Sequence, residues 1–411
     1  MINPQPPNQV FVMAAPPSSS RHVVPALMDD LVEAILLRLP PEDPASLLRA
    51  ALVCKSWRRL VSGAGFRRRF REHHGRTPPM LGFLCSFGHR AGPLYYGEGD
   101  ARFMPAAATS LRRLPRGATI RPRWRAVDAL HGRILFYDRD LITPQTRALD
   151  FFVLSPMITD EVWRLPSLVP HHAHRWSAGL LCNSDHAHDD DDCAFRVVVL
   201  STNPSTRITS AYVYSSEQHA WTIQTSVQHN HVCSILRSHS ARIGNNALYF
   251  MCDSPNFCME YHMSRQQLSV INLPSEWVYK WTNFMTAENG RLGLAMLDGY
   301  NLYTMSSKRT GVDGQVTWES SRVISLSKLL PDVTDVRSMH VAAVVDVLGV
   351  ILIGTKIGLF SIDIKSSKVK KLWEGNVGCY VGDIVPTVSF CTPVLEAALP
   401  TEGPRSGAST A

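Results

Sequence analysis

The strongest constraint on this chain is a repeated unit of apolar strands and turns that runs from Val127 to near residue 390. Each unit spans roughly 40–55 residues, a length that fits a propeller blade. It contains a turn, an apolar strand, a second strand with an aromatic residue, and an ending at Trp or Leu-Pro. His131-Gly132, for example, is a turn sequence that precedes the strand RILFYD. Because helical spacing is nearly absent here, we predict an all-β region.

The length of the repeat favours one all-β fold over the others. Many short strands at regular intervals are typical of sandwiches, barrels and propellers. A period of roughly 40–55 residues favours the four-stranded blade of a propeller. Five units follow Val127, and Met80–Phe87 can pair with a strand near Asp383–Phe390 to form one more. We therefore predict a β-propeller of about six blades over residues 77–392.

A different pattern fills Ala26–His73, where apolar residues recur at helical spacing between prolines. Pro40-Pro41 ends the first helix, because proline lacks a backbone N–H and restricts the residue before it. About fifty residues cannot bury a large core, so apolar surface should remain for docking. The apolar residues of this first helix are Leu31, Ile35, Leu36 and Leu39.

A second helix is expected after the prolines, with Asp43 as its cap and Pro44 at its first position. Gly63 and Gly65 should end it, and Phe66 then opens a basic last turn whose arginines form a solvated face. Cys54 is expected to be a small packed residue of this helix. The apolar stripe predicted for the second helix is Leu47, Leu48, Leu52, Val53, Trp57 and Leu60.

The block LxxxILLRLPPEDPxxLLRAALVCKSWRRL resembles the F-box of plant F-box proteins. The family usually opens with Leu-Pro, whereas Leu27 is followed here by Met28. The resemblance implies a helical domain over residues 25–75 that binds the SKP-type adaptor of a cullin–RING ubiquitin ligase. The residues it implies at this interface are Leu27, Leu31, Ile35, Leu36, Leu39, Pro40, Leu48, Val53, Cys54 and Trp57.

The region after the helices resembles the β-propeller that follows the F-box in one large plant subfamily. The segments TPPMLGFL, WRAVDALHGRILF and AYVYSSEQHAW carry this resemblance. The predicted fold class is therefore multidomain α+β, with an all-α F-box before an all-β, target-binding propeller. A stiff joint with paired prolines, Arg76–Pro79, separates the two. Residues 1–24 and 393–411 are expected to be disordered tails, because they are rich in small, polar and proline residues.

Two clusters of polar residues offer alternative chemistry. Histidines at 171, 172, 174, 186 and 188, with the acidic run 189–192 and Cys193, contain metal-ligating groups, but their spacing fits no compact four-ligand site. The arginine-rich stretch Leu111–Arg125 could follow a phosphate backbone, yet it also reads as a soluble loop between strands. We therefore predict no metal site and no nucleic-acid partner.

The cysteines, the apolar runs and the missing catalytic motifs each argue against a class of protein. The nine cysteines are scattered without CxxC spacing, which favours reduced thiols in the cytoplasm or nucleus. No apolar run is long enough for a membrane span, and the net charge of +7 is modest. Motifs such as GxSxG, the P-loop, the dinucleotide glycine fingerprint and HExxH are missing, so we predict neither catalysis nor a cofactor.

The resemblance to F-box proteins implies a substrate-recognition adaptor of an SCF-type cullin–RING ubiquitin ligase. The F-box would bind the SKP-type adaptor, and the propeller would bind a target protein that the sequence does not name. One alternative is an F-box scaffold outside a ligase, which the absence of proline after Leu27 favours. Another is a propeller enzyme or small-ligand-binding module, since propellers support several functions.

Overall fold

The structure is a computed structural model. It describes residues 29–75, 77–88, 101–106, 120–121, 123–138, 148–156, 162–170, 175–182, 194–229, 235, 240–243, 247–253, 256–274, 281–310, 315–330, 332–375, 380–381 and 384–392. The predicted tails, Leu27, the histidine-rich segments 171–174 and 183–193, and most of the arginine-rich stretch lie outside the described residues.

Four short helices occupy the first part of the described chain. They are α1 (Asp29–Leu36), α2 (Pro44–Ala51), α3 (Lys55–Ser62) and α4 (Ala64–His73). Pro44 opens α2 as predicted. Asp43 lies at the cap position, but its carboxylate accepts a hydrogen bond from Ser46 Oγ at 2.7 Å and none from the helix backbone. The helix is therefore held at its start mainly by the fixed geometry of proline.

The single helix predicted from Leu47 to Leu60 was wrong, because the structure divides it in two. Leu52 and Val53 form a turn, and Cys54 has an extended backbone. The Cys54 Sγ accepts a hydrogen bond from the backbone N–H of Trp57 at 3.5 Å, so Cys54 caps α3. Apolar spacing continues across this break and therefore hides it. Gly65 was also misassigned, since only Gly63 separates α3 from α4.

The strands follow in chain order. They are β1 (Met80–Gly88), β2 (Ala101–Pro105), β3 (Trp124–Leu130), β4 (Arg133–Asp138), β5 (Phe151–Leu154), β6 (Val162–Arg164), β7 (Trp176–Cys182), β8 (Phe195–Asn203), β9 (Ile208–Ser215), β10 (Ala220–Gln228), β11 (Ala241–Ile243) and β12 (Ala247–Met251). The others are β13 (Phe257–His262), β14 (Gln267–Asn272), β15 (Trp281–Thr286), β16 (Leu292–Asp298), β17 (Asn301–Thr310), β18 (Gln315–Ser325), β19 (His340–Val345), β20 (Val350–Thr355), β21 (Gly358–Asp363), β22 (Val369–Glu374), β23 (Tyr380–Val381) and β24 (Val385–Val388).

Within the described residues these strands form six four-stranded antiparallel sheets, which confirms the predicted six-bladed propeller. Blades 2 to 6 each take four consecutive strands, beginning at β3, β7, β11, β15 and β19. Blade 1 combines β1 and β2 with β23 and β24 from the end of the chain. Met80 pairs with Val388 and Leu84 with Val385, so both ends of the propeller close one blade. This closure leaves the ring of blades without an open end.

Local sequence explains why these segments turn and pack. His131 and Gly132 have φ values of 50° and 78°, the left-handed geometry of a two-residue hairpin between β3 and β4. The interior of RILFYD is fully buried between neighbouring strands. Trp176 lies edge-on to Tyr137 at 4.9 Å between ring centroids, and this contact joins blade 3 to blade 2. Large aromatic residues thus fill the space between blades.

The helical domain shares its core with the propeller. Phe390, just after β24, is 6% exposed and belongs to the core of the helices. Its ring meets Phe70 of α4 edge-on at 6.2 Å. The backbone N–H of Ser389 also donates to the carbonyl oxygen of Pro79 at 3.2 Å, which ties the joint to the last strand. The connection between the two units is therefore a packed interface as well as a proline joint.

Candidate docking site on the helical domain

Among residues 29–75 of the helical domain, four large aliphatic side chains are exposed. Leu31 is 49% exposed and Ile35 50% exposed, both on α1. Leu52 and Val53, in the turn between α2 and α3, are 78% and 64% exposed. Large apolar groups at such exposure are normal when single, but a group of them marks a docking surface. We call these four residues the aliphatic patch.

The helices place the patch on the side away from their own core. On α1, Val32 and Leu36 are each 2% exposed and face inward, while Leu31 and Ile35 lie one residue earlier on the outer side. The start of α1 is held against the start of α3 by a hydrogen bond from Ser56 Oγ to Asp29 Oδ1 at 3.2 Å. This contact joins α1, which carries Leu31 and Ile35, to the start of α3, which follows the turn with Leu52 and Val53.

The predicted interface residues divide into distinct groups in the structure. Leu31, Ile35, Pro40, Val53 and Cys54 are exposed, and the expectation that Cys54 is packed was wrong because it caps an exposed turn. Leu39 and Trp57 are partly buried and pack against the core of the helices. Their predicted contacts with a partner stay a prediction.

Two predicted contact residues face other parts of this chain. Leu36 is 2% exposed and lies in the core of the helices, so a partner could reach it only if the helices separated. Leu48 is partly buried and packs with Leu81 and Cys391 of the propeller. Both are apolar at helical spacing, which is why the sequence could not distinguish an inward residue from an outward one.

Leu52 is the most exposed of these residues, and it was not among the predicted contacts. Its place in the apolar stripe suggested a packed position on a continuous helix. The signal that could have revealed it is the Leu-Val pair directly before a capping residue, because a turn there points both side chains outward.

The border of the patch carries both signs of charge, and Asp29 and Asp30 are exposed beside Leu31. Lys55 and Arg58 of α3 are exposed beside the turn that carries Leu52 and Val53. Arg69 of α4 is paired with an acidic residue of α1, since its Nε donates to Glu33 Oε1 at 2.5 Å. An apolar centre with a charged border is the usual composition of a protein interface.

The propeller contains a central channel next to the helical domain. Strands β3, β11, β15, β19 and β24 line a cavity of about 300 Å³. Arg71 of α4 and Pro78 of the joint line the same cavity, so the helical domain lies at one mouth of the channel. The channel is therefore enclosed by both domains.

Polar side chains link different blades around this channel, both neighbouring blades and blades 2 and 4. Asp128 of β3 accepts hydrogen bonds from Arg242 of β11 at 2.5 Å and from the backbone N–H of Leu180 on β7 at 2.8 Å. On the other side, Asp346 accepts hydrogen bonds from the backbone N–H of Thr286 at 2.8 Å and from its hydroxyl at 3.0 Å. Each carboxylate is thus used by contacts between blades.

Among the described residues, no group of three or more His, Cys, Asp or Glu side chains is close enough to hold a metal ion. Among the described helices, none is long and apolar enough to cross a membrane.

Comparison with known families identifies both parts of the chain. An F-box domain model matches residues 27–69, which include α1, α2 and α3. An F-box joined to a β-propeller is the architecture of an F-box substrate-receptor protein. A second model, which describes the beta-propeller of AT5G49610-like F-box proteins, matches residues 126–395. The chain therefore belongs to the AT5G49610-like F-box protein family.

Other comparisons add only distant likenesses. No curated protein matches the chain. A putative 6-phosphogluconolactonase from Bacteroides uniformis is 11% identical, with a TM-score of 0.37, over 71% of this chain and 81% of that chain. Sqt1 of Saccharomyces cerevisiae is 10% identical, with a TM-score of 0.37, over 73% and 88%. Likenesses of this extent say nothing about activity.

Proposed function

We propose that this protein is the substrate receptor of an SCF-type cullin–RING ubiquitin ligase. In this proposal the F-box binds an SKP-type adaptor, and the propeller binds the protein that is ubiquitinated. The chain itself would perform no bond chemistry and would act in the cytoplasm or nucleus. The observation that carries the proposal is the aliphatic patch of Leu31, Ile35, Leu52 and Val53 on an F-box domain.

The patch has the chemistry that adaptor binding needs. A few large side chains in the desolvated centre of an interface supply most of its energy, at about 2 kcal/mol or more each. The exposed fractions of the four residues leave apolar area to bury, and no described part of this chain covers them. Lys55 and Arg58, on the α3 side of the patch, would favour acidic groups on the facing part of the partner.

The proposed mechanism is proximity. A receptor that holds its target beside a ubiquitin-conjugating enzyme converts a bimolecular encounter into a local one, with effective concentrations on the order of millimolar. The packing of Phe390 against Phe70 supports this role, because a fixed joint keeps the target at one distance from the ligase. A freely moving joint would spread the target over many orientations.

The proposal is tested by removing the patch without disturbing the core. The double variant Leu31→Asp/Val53→Asp places charges at two exposed positions. We expect its affinity for a purified SKP-type adaptor to fall at least about 30-fold, since losing one hot spot of about 2 kcal/mol already has this effect. The matched control is Val323→Asp on β18, which is 53% exposed on the propeller. We expect it to bind as the unsubstituted protein does.

Two measurements complete this experiment. The helical circular dichroism of the double variant should equal that of the control, which excludes unfolding as the cause of weaker binding. Unchanged adaptor affinity in a folded double variant would contradict the proposed surface. Adaptor binding without recovery of a cullin in the same complex would favour the scaffold alternative over a ligase.

A further inference from the structure

Each blade of the propeller has an outer strand that forms the edge of its sheet. These outer strands are β2, β6, β10, β14, β18 and β22. Along such an edge, some backbone N–H and C=O groups point away from the sheet and can pair with another extended chain. Proteins usually block these edges with short strands, charged side chains or proline. The six edges can therefore be compared by these features.

Five of the outer strands are blocked in some way. β6 has only three residues, and β2 has five and ends at Pro105. Charged side chains lie on β18, for example Glu319, and on β22, for example Lys370. β14 is uncharged but has only six residues. The indole of Trp318 in blade 5 also donates to the carbonyl oxygen of Asn272, the last residue of β14, at 2.9 Å.

The outer strand of blade 3, β10, lacks these features. Its nine residues, Ala220–Gln228, include no charged residue and no proline. None of the nine is buried, and among the described residues only β9 pairs with this strand. A bulge between Ile223 and Thr225 is the one protective irregularity that it has. Among the described strands, β10 is therefore the longest edge that is open to pairing.

Ile223 gives this edge an apolar contact point. It pairs with Tyr212 of β9, which is buried in the core between blades 2 and 3. Because paired residues lie on the same face of a sheet, Ile223 faces blade 2. The outer strand of blade 2 has only three residues, and Ile223 stays 63% exposed. A strand added beside β10 would place one of its side chains next to Ile223.

The occupant that fits this edge is an extended peptide segment. A second copy of the chain fits less well, because two molecules of net charge +7 repel each other. A pair of nine-residue strands also buries less than the roughly 1,000 Å² that a stable protein interface needs. A peptide that adds one strand needs less area, since its backbone hydrogen bonds supply affinity and its alternate side chains supply specificity.

We propose that β10 binds an extended, uncharged segment of the target protein, which adds a fifth strand to blade 3. Backbone hydrogen bonds hold the segment along Ala220–Gln228, and an apolar side chain of the segment packs against Ile223. The segment is uncharged because β10 offers no partner for a charge. The identity of the partner as a target rests on the proposed function, whereas the edge itself belongs to the propeller alone.

The test uses the full chain and a synthetic peptide with the sequence of β9, ITSAYVYS. This peptide is a suitable probe because its side chains already fit beside those of β10 in blade 3. Fluorescence anisotropy of the labelled peptide should show saturable binding with a Kd of about 1 mM or tighter. The control peptide carries N-methyl groups on its four central residues, which cannot donate hydrogen bonds. It should bind at least about tenfold more weakly.

One variant and its control locate the probe. Ile223→Lys puts a charge on the edge and should weaken the probe at least about fivefold, since the apolar cross-strand pair is lost. The matched control is Val323→Lys, because Val323 is also β-branched and exposed on an outer strand, β18. It should bind the probe as the unsubstituted protein does. Bound probe should also slow hydrogen exchange in β10, because its outward N–H groups become bonded.

Several results would overturn the inference. One is the absence of any anisotropy change up to about 3 mM peptide. Another is equal binding of the N-methylated peptide, which would show that backbone hydrogen bonds play no part. A third is unchanged probe affinity in Ile223→Lys whose thermal unfolding curve shows that it is folded. Sedimentation of the unsubstituted protein as a dimer that Ile223→Lys converts to a monomer would assign the edge to a second copy.

The outcome is separable from that of the proposed ligase role. Ile223 lies on blade 3, whereas the aliphatic patch lies on the helical domain. Ile223→Lys should therefore bind the SKP-type adaptor with unchanged affinity. Loss of probe binding with intact adaptor binding refers to the edge alone, and loss of adaptor binding in Leu31→Asp/Val53→Asp refers to the patch alone.

Discussion

The shared core between the F-box and the propeller predicts a specific weakness at Phe390. This ring is 6% exposed and packs into the same cluster as Val32, Leu36 and Phe70. Replacing it with alanine should leave a cavity beneath α1 and α4. The propeller keeps its own cores, because the clusters between its blades do not include Phe390.

The size of the effect follows from burial. Truncating a buried phenylalanine to alanine costs about 3–5 kcal/mol. The edge-on contact with Phe70 at 6.2 Å contributes on the order of 1 kcal/mol to this figure. A helical unit of about fifty residues has little stability of its own. Phe390→Ala should therefore open the helices while the blades stay closed.

Hydrogen exchange by mass spectrometry measures this opening directly, because it reports the free energy of local unfolding for each peptide. We expect peptides from α1 and α4 to exchange roughly 150- to 5,000-fold faster in Phe390→Ala, as about 3–5 kcal/mol implies. The matched control is Phe360→Ala, which removes an 8% exposed ring within blade 6. It should speed exchange in that blade and leave the helices unchanged.

One result would refute the reasoning. If the helices of Phe390→Ala exchange at the wild-type rate, the F-box core is complete without the propeller. The contact of Phe390 with the helices would then add nothing to their stability.

Two further predictions follow from single titrating groups. Cys54 is exposed, whereas burial raises the pKa of Cys85 to about 12. Iodoacetamide at neutral pH should therefore label Cys54 and spare Cys85, as measured by peptide mass spectrometry. Bound adaptor should slow the labelling of Cys54. Burial raises the pKa of Asp346 from its ordinary 3.8, so the folded state loses stability as the pH rises from 3.8 through that raised value. Asp346→Asn should be as stable as the unsubstituted protein or more stable at pH 7, with an advantage in urea unfolding that shrinks toward pH 3.8. Labelling of Cys85 in the folded protein, or a variant that is less stable at every pH, would contradict the respective prediction.

Much of the fold was accessible from local sequence. The first helix was predicted to include Leu39 and to end at Pro40-Pro41, but it ends at Leu36 and a turn at Leu37 and Arg38 comes before the prolines. Proline therefore marked the break only to within a few residues. His131-Gly132 formed the predicted turn, since only certain residues accept its left-handed geometry. The repeat period gave the blade number because each blade is one repeated strand unit.

The docking site was predicted less completely. The spacing of Leu31, Ile35 and Leu36 indicates a helix, but it does not say which of them faces a partner. Their exposed fractions of 49%, 50% and 2% separate them only once the other helices are in place. The break after Ala51 depended on the cap that Cys54 forms, and apolar periodicity carries no signal for it.

By itself, the sequence determined the class of this protein: an F-box unit followed by an all-β repeat, each recognisable from backbone preferences and apolar periodicity. Only the tertiary structure decided that Phe390 completes the core of the helices and that Asp128 and Arg242 meet across the channel. These partners are far apart in the chain, and their contact depends on how six blades close into a ring. Backbone preferences act over a few residues, whereas the distances between residues on different blades are set only when the ring closes.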